Sequence, residues 1–204
     1  MTLQVFSLIM ASYLCQFPRA MIHLRDSAVR VLVAAAIAGT VAGCTPSKAS
    51  QCKKLSNAVN KMRPIAEKFQ RETKNFEAAA KAAGTKNDLN AFKGAAANLA
   101  TDFNGLTGEV DGLIKELDRV ELKDETLTSL KQRYVQNVSA TIVAYKTDSD
   151  ALATISKAEN SPKGRGEIEQ AIKAIIQTAG KMNVLTKEDT EVVADFNRYC
   201  SANQ

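Results

Sequence analysis

From Leu89 to Val120, apolar residues recur at spacings of three and four without a break: Leu89, Phe92, Ala96, Leu99, Phe103, Leu106, Val110, Leu113, Leu117 and Val120. Such spacing gathers them onto one stripe only if the chain is an α-helix of 3.6 residues per turn. An apolar stripe of that length has to be covered, and the natural cover is other helices carrying the same pattern. Three further segments qualify. Leu55, Val59, Met62, Ala66, Phe69, Thr73, Phe76, Ala80 and Ala83 alternate fours and threes. Pro64 falls inside this stretch and should kink it or mark its effective start, because proline has no N–H and its ring crowds the preceding turn. Gly84-Thr85 is read as the end of this helix, with Asn87 or Asp88 capping the next.

A third helix is expected from about Asp124 to Ala158, with Asp124 as N-cap and inward positions Leu127, Leu130, Tyr134, Val138, Ile142, Tyr145, Leu152 and Ile155. Its stripe shifts register once, near Tyr134 to Val138. Ser161-Pro-Lys-Gly-Arg-Gly166 reads as a loop. Ile168, Ile172, Ile175, Ala179 and Met182 then open a fourth helix, completed by Val192, Val193, Phe196 and Cys200. Gly180 and the capping-like run Thr186-Lys-Glu-Asp189 suggest a kink or restart within it. The fold class expected is all-α: an antiparallel up-down four-helix bundle with long helices, each about 50 Å in length, joined by short loops.

The amino-terminal region carries a different signal. Val41-Ala42-Gly43-Cys44 reads as a lipobox closing a lipoprotein signal at residues 21–43, with Arg25 and Arg30 as its positive region and Val31 to Val41 as its apolar run. That run is shorter than the ~20 residues of a membrane span. The alternative is an ordinary secretory signal followed by a chance cysteine. Residues 1–20 fit no signal of ordinary proportions, so Met21 is read as the true start and 1–20, with Cys15, as a misassigned extension. On this reading Cys44 carries the lipid, residues 44–50 form a tether and 51–204 form the bundle. Removing the 43 residues before Cys44 from the 204 leaves 161, enough for a single domain with a real core. Arg19, Arg25, Arg30 and Asp26 go with the leader, so the net charge falls from +5 to +3.

Export would place Cys52 and Cys200 in an oxidising compartment, where a pair of cysteines is usually a disulfide; two unrelated buried thiols are the alternative. A bridge between them would require the start of the first helix and the end of the fourth to meet. An up-down bundle brings those ends to one pole, so the cysteine and periodicity arguments agree. The turn near Leu122 falls at the same end as the anchor. The loops near Gly84 and Ser161–Gly166 fall at the other, where an approach by a partner from the aqueous side is expected.

Chemistry is constrained by what is missing. The one histidine, His23, belongs to the leader. Without histidine there is no Ser-His-Asp or Cys-His arrangement, no Glu-x-x-His di-iron motif and no imidazole zinc site. The adjacent acids Asp124-Glu125 and Glu188-Asp189 sit where helix starts already account for them. Tyr134 and Tyr145 read as core or boundary residues rather than a ligand platform. Gly105, Gly108 and Gly112 crowd the second helix, with Gly94 before them, and admit three readings: close helix approach, simple tolerance, or a groove for a partner. Lys48, Lys53, Lys54, Lys61 and Arg63 form a basic run with no acid before Glu67. They are either contacts to an anionic membrane surface, worth ~1 kcal/mol each, or ordinary solvated charges. Nucleic-acid binding is not expected from a net charge of +3 without interleaved aromatics.

Ser50-Gln-Cys-Lys-Lys-Leu55 and Glu191-Val-Val-Ala-Asp-Phe-Asn-Arg-Tyr-Cys200 resemble the two ends of a family of small cyanobacterial lipoproteins. The resemblance implies a disulfide-closed helical lipoprotein and transfers no catalytic residue. In architecture the chain also looks like the lumenal lipoprotein bundles that serve photosystem II, a likeness of fold alone. The function expected is that of a lipid-anchored, exported, non-enzymatic interaction or structural module, facing periplasm or thylakoid lumen and binding an envelope or thylakoid protein, with no cofactor or metal. The alternatives are a binding module for a small apolar or lipid ligand inside the bundle, where Ala95, Ala96, Ala97 and the glycines leave room, and an accessory factor of a membrane complex.

Overall fold

The structure, a computed structural model, describes residues 46–202. The leader, Cys44 and the choice between Met1 and Met21 lie outside the described residues. Within them the fold is all-helical, with no strand, and four helical rods pack against one another. There are five helical segments: α1 (Lys48–Asn60), α2 (Arg63–Lys86), α3 (Leu89–Asp118), α4 (Glu125–Lys157) and α5 (Pro162–Ser201). Among the described residues no helix is long and apolar enough to cross a membrane.

The first rod is broken where the proline predicts. Pro64 sits in the first turn of α2, where its missing N–H costs nothing, and the preceding turn tightens: Lys61 N–H bonds Ala58 O and Met62 N–H bonds Val59 O. The other boundaries follow from single side chains. Asp88, Asp124 and Ser161 each accept the backbone N–H three residues on, at 2.9, 2.9 and 3.1 Å.

Three boundary expectations are corrected. Gly84 does not end the first rod: α2 runs on to Lys86 and is stopped by Asn87, in the left-handed conformation at φ 53°. Asparagine tolerates that region better than most residues. The Ser161–Gly166 stretch is not a loop, because Ser161 is already the cap of α5 and Pro162 its first residue. Glycine is needed at 164, where a Cβ would lie 2.0 Å from the Glu159 carbonyl oxygen. Finally, α5 is one helix of 40 residues with no restart at Gly180 or Thr186.

The predicted seam residues are the core. Phe92, Ala96, Leu99, Phe103, Leu106, Val110 and Leu117 are buried, as are all eight inward positions assigned to α4. Partners descend on one rod as residue numbers rise on its neighbour. Lys61 pairs with Glu116 and Lys68 with Glu109. Across α3 and α4, Lys146 meets Asp111 and Ser149 donates to Ala100 O. Across α4 and α5, Arg133 meets Asp195 and Asn137 donates to Leu185 O.

One pole is fastened covalently. Cys52 and Cys200 form a disulfide, with an S–S distance of 2.07 Å. Beside it Gln51, 5% exposed, accepts the N–H groups of Lys123 and Asp124 at 2.6 and 3.0 Å and donates to Pro46 O at 2.8 Å. Tyr199 donates to Asp124 Oδ2 at 2.7 Å.

The closely packed neighbours are α2 with α3, α3 with α4, and α4 with α5, while short α1 touches α3, α4 and α5. The pair α2 and α5 is not among them. The first and last rods therefore close at the disulfide pole, through α1, and part beyond the break at Pro64.

Candidate functional site

That parting opens a cleft of about 500 Å³. One wall is the end of α1 and the start of α2, with Val59, Met62, Ala66 and Phe69; the other is α5, with Met182, Leu185 and Val193; α4 forms the floor. The wall residues Val59, Met62, Ala66, Leu185 and Val193 are only half-buried, although their spacing marks them, or their neighbours, as inward. They face the cleft, between two helices that are not among the closely packed pairs. A mostly apolar concavity of this size is typical of a small-molecule site.

Polar groups line the walls, with Arg63, Glu67 and Lys74 on α2 and Asp189 on α5, and also the floor. Tyr134, Asn137, Thr141 and Tyr145 lie three or four residues apart on α4, hence on one face, and all line the cleft. Tyr134 is 9% exposed and Tyr145 7%. Asn137 is held in place by donating to Leu185 O at 2.8 Å and Glu188 Oε2 at 3.3 Å. Burial raises both tyrosine pKa values above the ordinary phenol value, and the carboxylates of Asp189, near Tyr134, and Asp148, near Tyr145, raise them further. Both phenols are therefore protonated donors at neutral pH. Asp189, in the α5 wall, is itself raised above the usual carboxylate value by burial.

The sequence reading assigned Tyr134 and Tyr145 to the core, and they are buried; their position on the floor of a cleft was missed. The available signal was a polar tip on two residues of an otherwise apolar seam, since a buried tyrosine normally finds a partner for its hydroxyl. Room inside the bundle was expected near Ala95 to Ala97 and the glycines, but the cleft is elsewhere. Ala96 is fully buried, and added Cβ atoms at Gly94, Gly105, Gly108 and Gly112 would meet nothing within 4 Å. The close-approach reading of those glycines is overturned, because they face outward.

The basic run is partly engaged within the fold. Lys48 lies over the Tyr199 ring at 3.9 Å, Lys54 donates to Glu121 O, and Lys61 and Arg63 pair with Glu116 and Glu67, while Lys53 is exposed. A smaller hollow between α2 and α3 is walled by charges already paired, Lys68 with Glu109 and Arg71 with Glu72. No protein-family model, curated protein or solved structure matches the chain.

Proposed function

We propose that this chain is an exported, lipid-anchored, non-enzymatic binding module that takes a small apolar or amphiphilic ligand into the cleft between α2 and α5. In this reading the four rods run up-down-up-down, an order the descending partner numbers favour. Lipid on Cys44 sets the disulfide pole nearest the membrane, with any lysine left exposed, such as Lys53, turned to its surface.

The observation that carries the proposal is the cleft itself: a mostly apolar cavity of about 500 Å³ between α2 and α5. A protein partner, the other expectation, finds less support, since the exposed Val143 and Val184 are two side chains and do not make a patch.

The test is direct binding. N-phenyl-1-naphthylamine, a neutral apolar fluorophore, should brighten on titration with the protein, and Ala66→Trp, which fills the cleft, should abolish the signal without loss of helix. Equal brightening by both proteins would refute the cleft as the site. The anchor is tested separately: Cys44→Ser should move the protein from the membrane fraction to the soluble one.

A further inference from the structure

Three hydroxyls on the cleft floor have no hydrogen-bond partner among the described residues. No hydrogen bond joins the phenol of Tyr134, the phenol of Tyr145 or the hydroxyl of Thr141 to another described residue. Thr141 is the telling case. Thr73, Thr147 and Thr190 each return their hydroxyl proton to the carbonyl four residues back, as helical threonines commonly do. Thr141, only 8% exposed, makes no such bond. None of these three oxygens is sealed from the cleft: the one fully enclosed side-chain polar atom without a partner, among the described residues, is Asp148 Oδ1. Three largely buried donors facing a cleft cost stability unless water or a ligand satisfies them.

From this we infer that the ligand is an elongated, uncharged apolar molecule bearing oxygen acceptors, of the ester, ketone or alcohol class, which the hydroxyls of Tyr134, Thr141 and Tyr145 bind along one side. The inference deepens the binding reading above and rests on it. Tyr134 and Tyr145 are separated by a rise of about 16 Å along α4, so a compact ligand cannot engage both. All three groups donate, which favours an acceptor. An anionic head is disfavoured beside Tyr134, where Asp189 supplies negative charge; the cations that line the cleft, Lys74 and the Arg63 paired with Glu67, stand on the α2 wall. A cationic head would leave the three donors without an acceptor.

The experiment is competition against bound N-phenyl-1-naphthylamine by three probes sharing one hydrocarbon chain: monoolein, oleate and oleylamine, each below its aggregation threshold. Monoolein should displace the fluorophore at a concentration at least tenfold below the other two. The triple variant Tyr134→Phe, Thr141→Val, Tyr145→Phe should lose the preference, with monoolein no longer displacing the fluorophore at a lower concentration than oleate and oleylamine. Each hydroxyl contributes roughly three- to tenfold. Oleate or oleylamine equalling monoolein, or a triple variant that keeps the preference, overturns the inference while leaving the cleft intact. If the natural protein does not bind the fluorophore at all, it is the binding reading that fails. Because the hydroxyls hold no partner among the described residues, the triple variant should melt within a few degrees of the natural chain, which separates this role from a structural one.

Discussion

The ring of Tyr145 on α4 is stacked on that of Phe69 on α2, with centroids 4.1 Å apart and planes 20° from parallel. Phe103 of α3 completes the cluster, edge-on to Tyr145 at 5.0 Å and tilted to Phe69 at 5.4 Å. These rings hold α2 against the rest of the bundle over the stretch where α5 does not reach it.

Phe69→Ala should therefore destabilise the protein by about 3–4 kcal/mol, combining lost burial with lost ring contacts. Urea unfolding followed by far-ultraviolet circular dichroism would measure it. A loss under about 1 kcal/mol would mean that α2 is held by other contacts.

The disulfide spans 148 positions. By loop-closure entropy, opening it should cost about 5 kcal/mol. The comparison is the midpoint of urea unfolding for the natural chain against Cys52→Ser, Cys200→Ser, and for the natural chain with and without reductant. The hydrogen bonds of Gln51 and Tyr199 remain, so the reduced pole should loosen before the far end does.

Gly105, Gly108 and Gly112 lie on the exposed face of α3 with open space where a Cβ would stand. Replacing all three by alanine should raise stability, by about 2–3 kcal/mol in total, since each interior helical glycine costs about 1 kcal/mol against alanine. Gly164→Ala should do the reverse, because its Cβ would collide with Glu159 backbone. A thermal melt of each variant checks both signs.

Asp148, 3% exposed, has one oxygen without a partner, and burial pushes its carboxyl up to about 7, against a smaller downward pull from the Thr178 hydroxyl. A carboxyl whose folded pKa is raised favours the folded state while protonated. Its contribution is full below the unfolded value of 3.8 and is lost as pH rises to about 7. Asp148→Asn should thus be more stable than the natural chain at pH 8, by roughly 2–4 kcal/mol, with the advantage shrinking to nothing near pH 4. Urea midpoints of both proteins across that range decide it; a difference independent of pH would exclude the titration of Asp148 as its source.

Much of the fold was legible because helical periodicity is local. The unbroken seam of α3, the cap at Asp124, the break at Pro64 and the meeting of Cys52 with Cys200 all rest on residue type and spacing. The misread boundaries share one cause. Gly84 was read as a helix end, Gly164 and Gly166 as part of a loop and Gly180 as a kink or restart, but a helix buried on one side tolerates glycine when tertiary packing outweighs its cost of about 1 kcal/mol. Asn87, whose left-handed backbone ends α2, gave a weaker local signal than the glycines that do not.

By itself the sequence determined the helical class and the inward stripe of each rod, since both depend on spacing within a helix, and it pointed to the pairing of Cys52 with Cys200. Tertiary structure alone decided that α2 and α5 part, and so that Val59, Met62 and Ala66 line a cleft instead of a core. Periodicity states which way a side chain points; whether another helix stands there to meet it depends on the angle at which rods pack. Here the rods meet at the bridge from Cys52 to Cys200 and in the aromatic cluster of Phe69, Phe103 and Tyr145, and the break at Pro64 falls between Cys52 and Phe69.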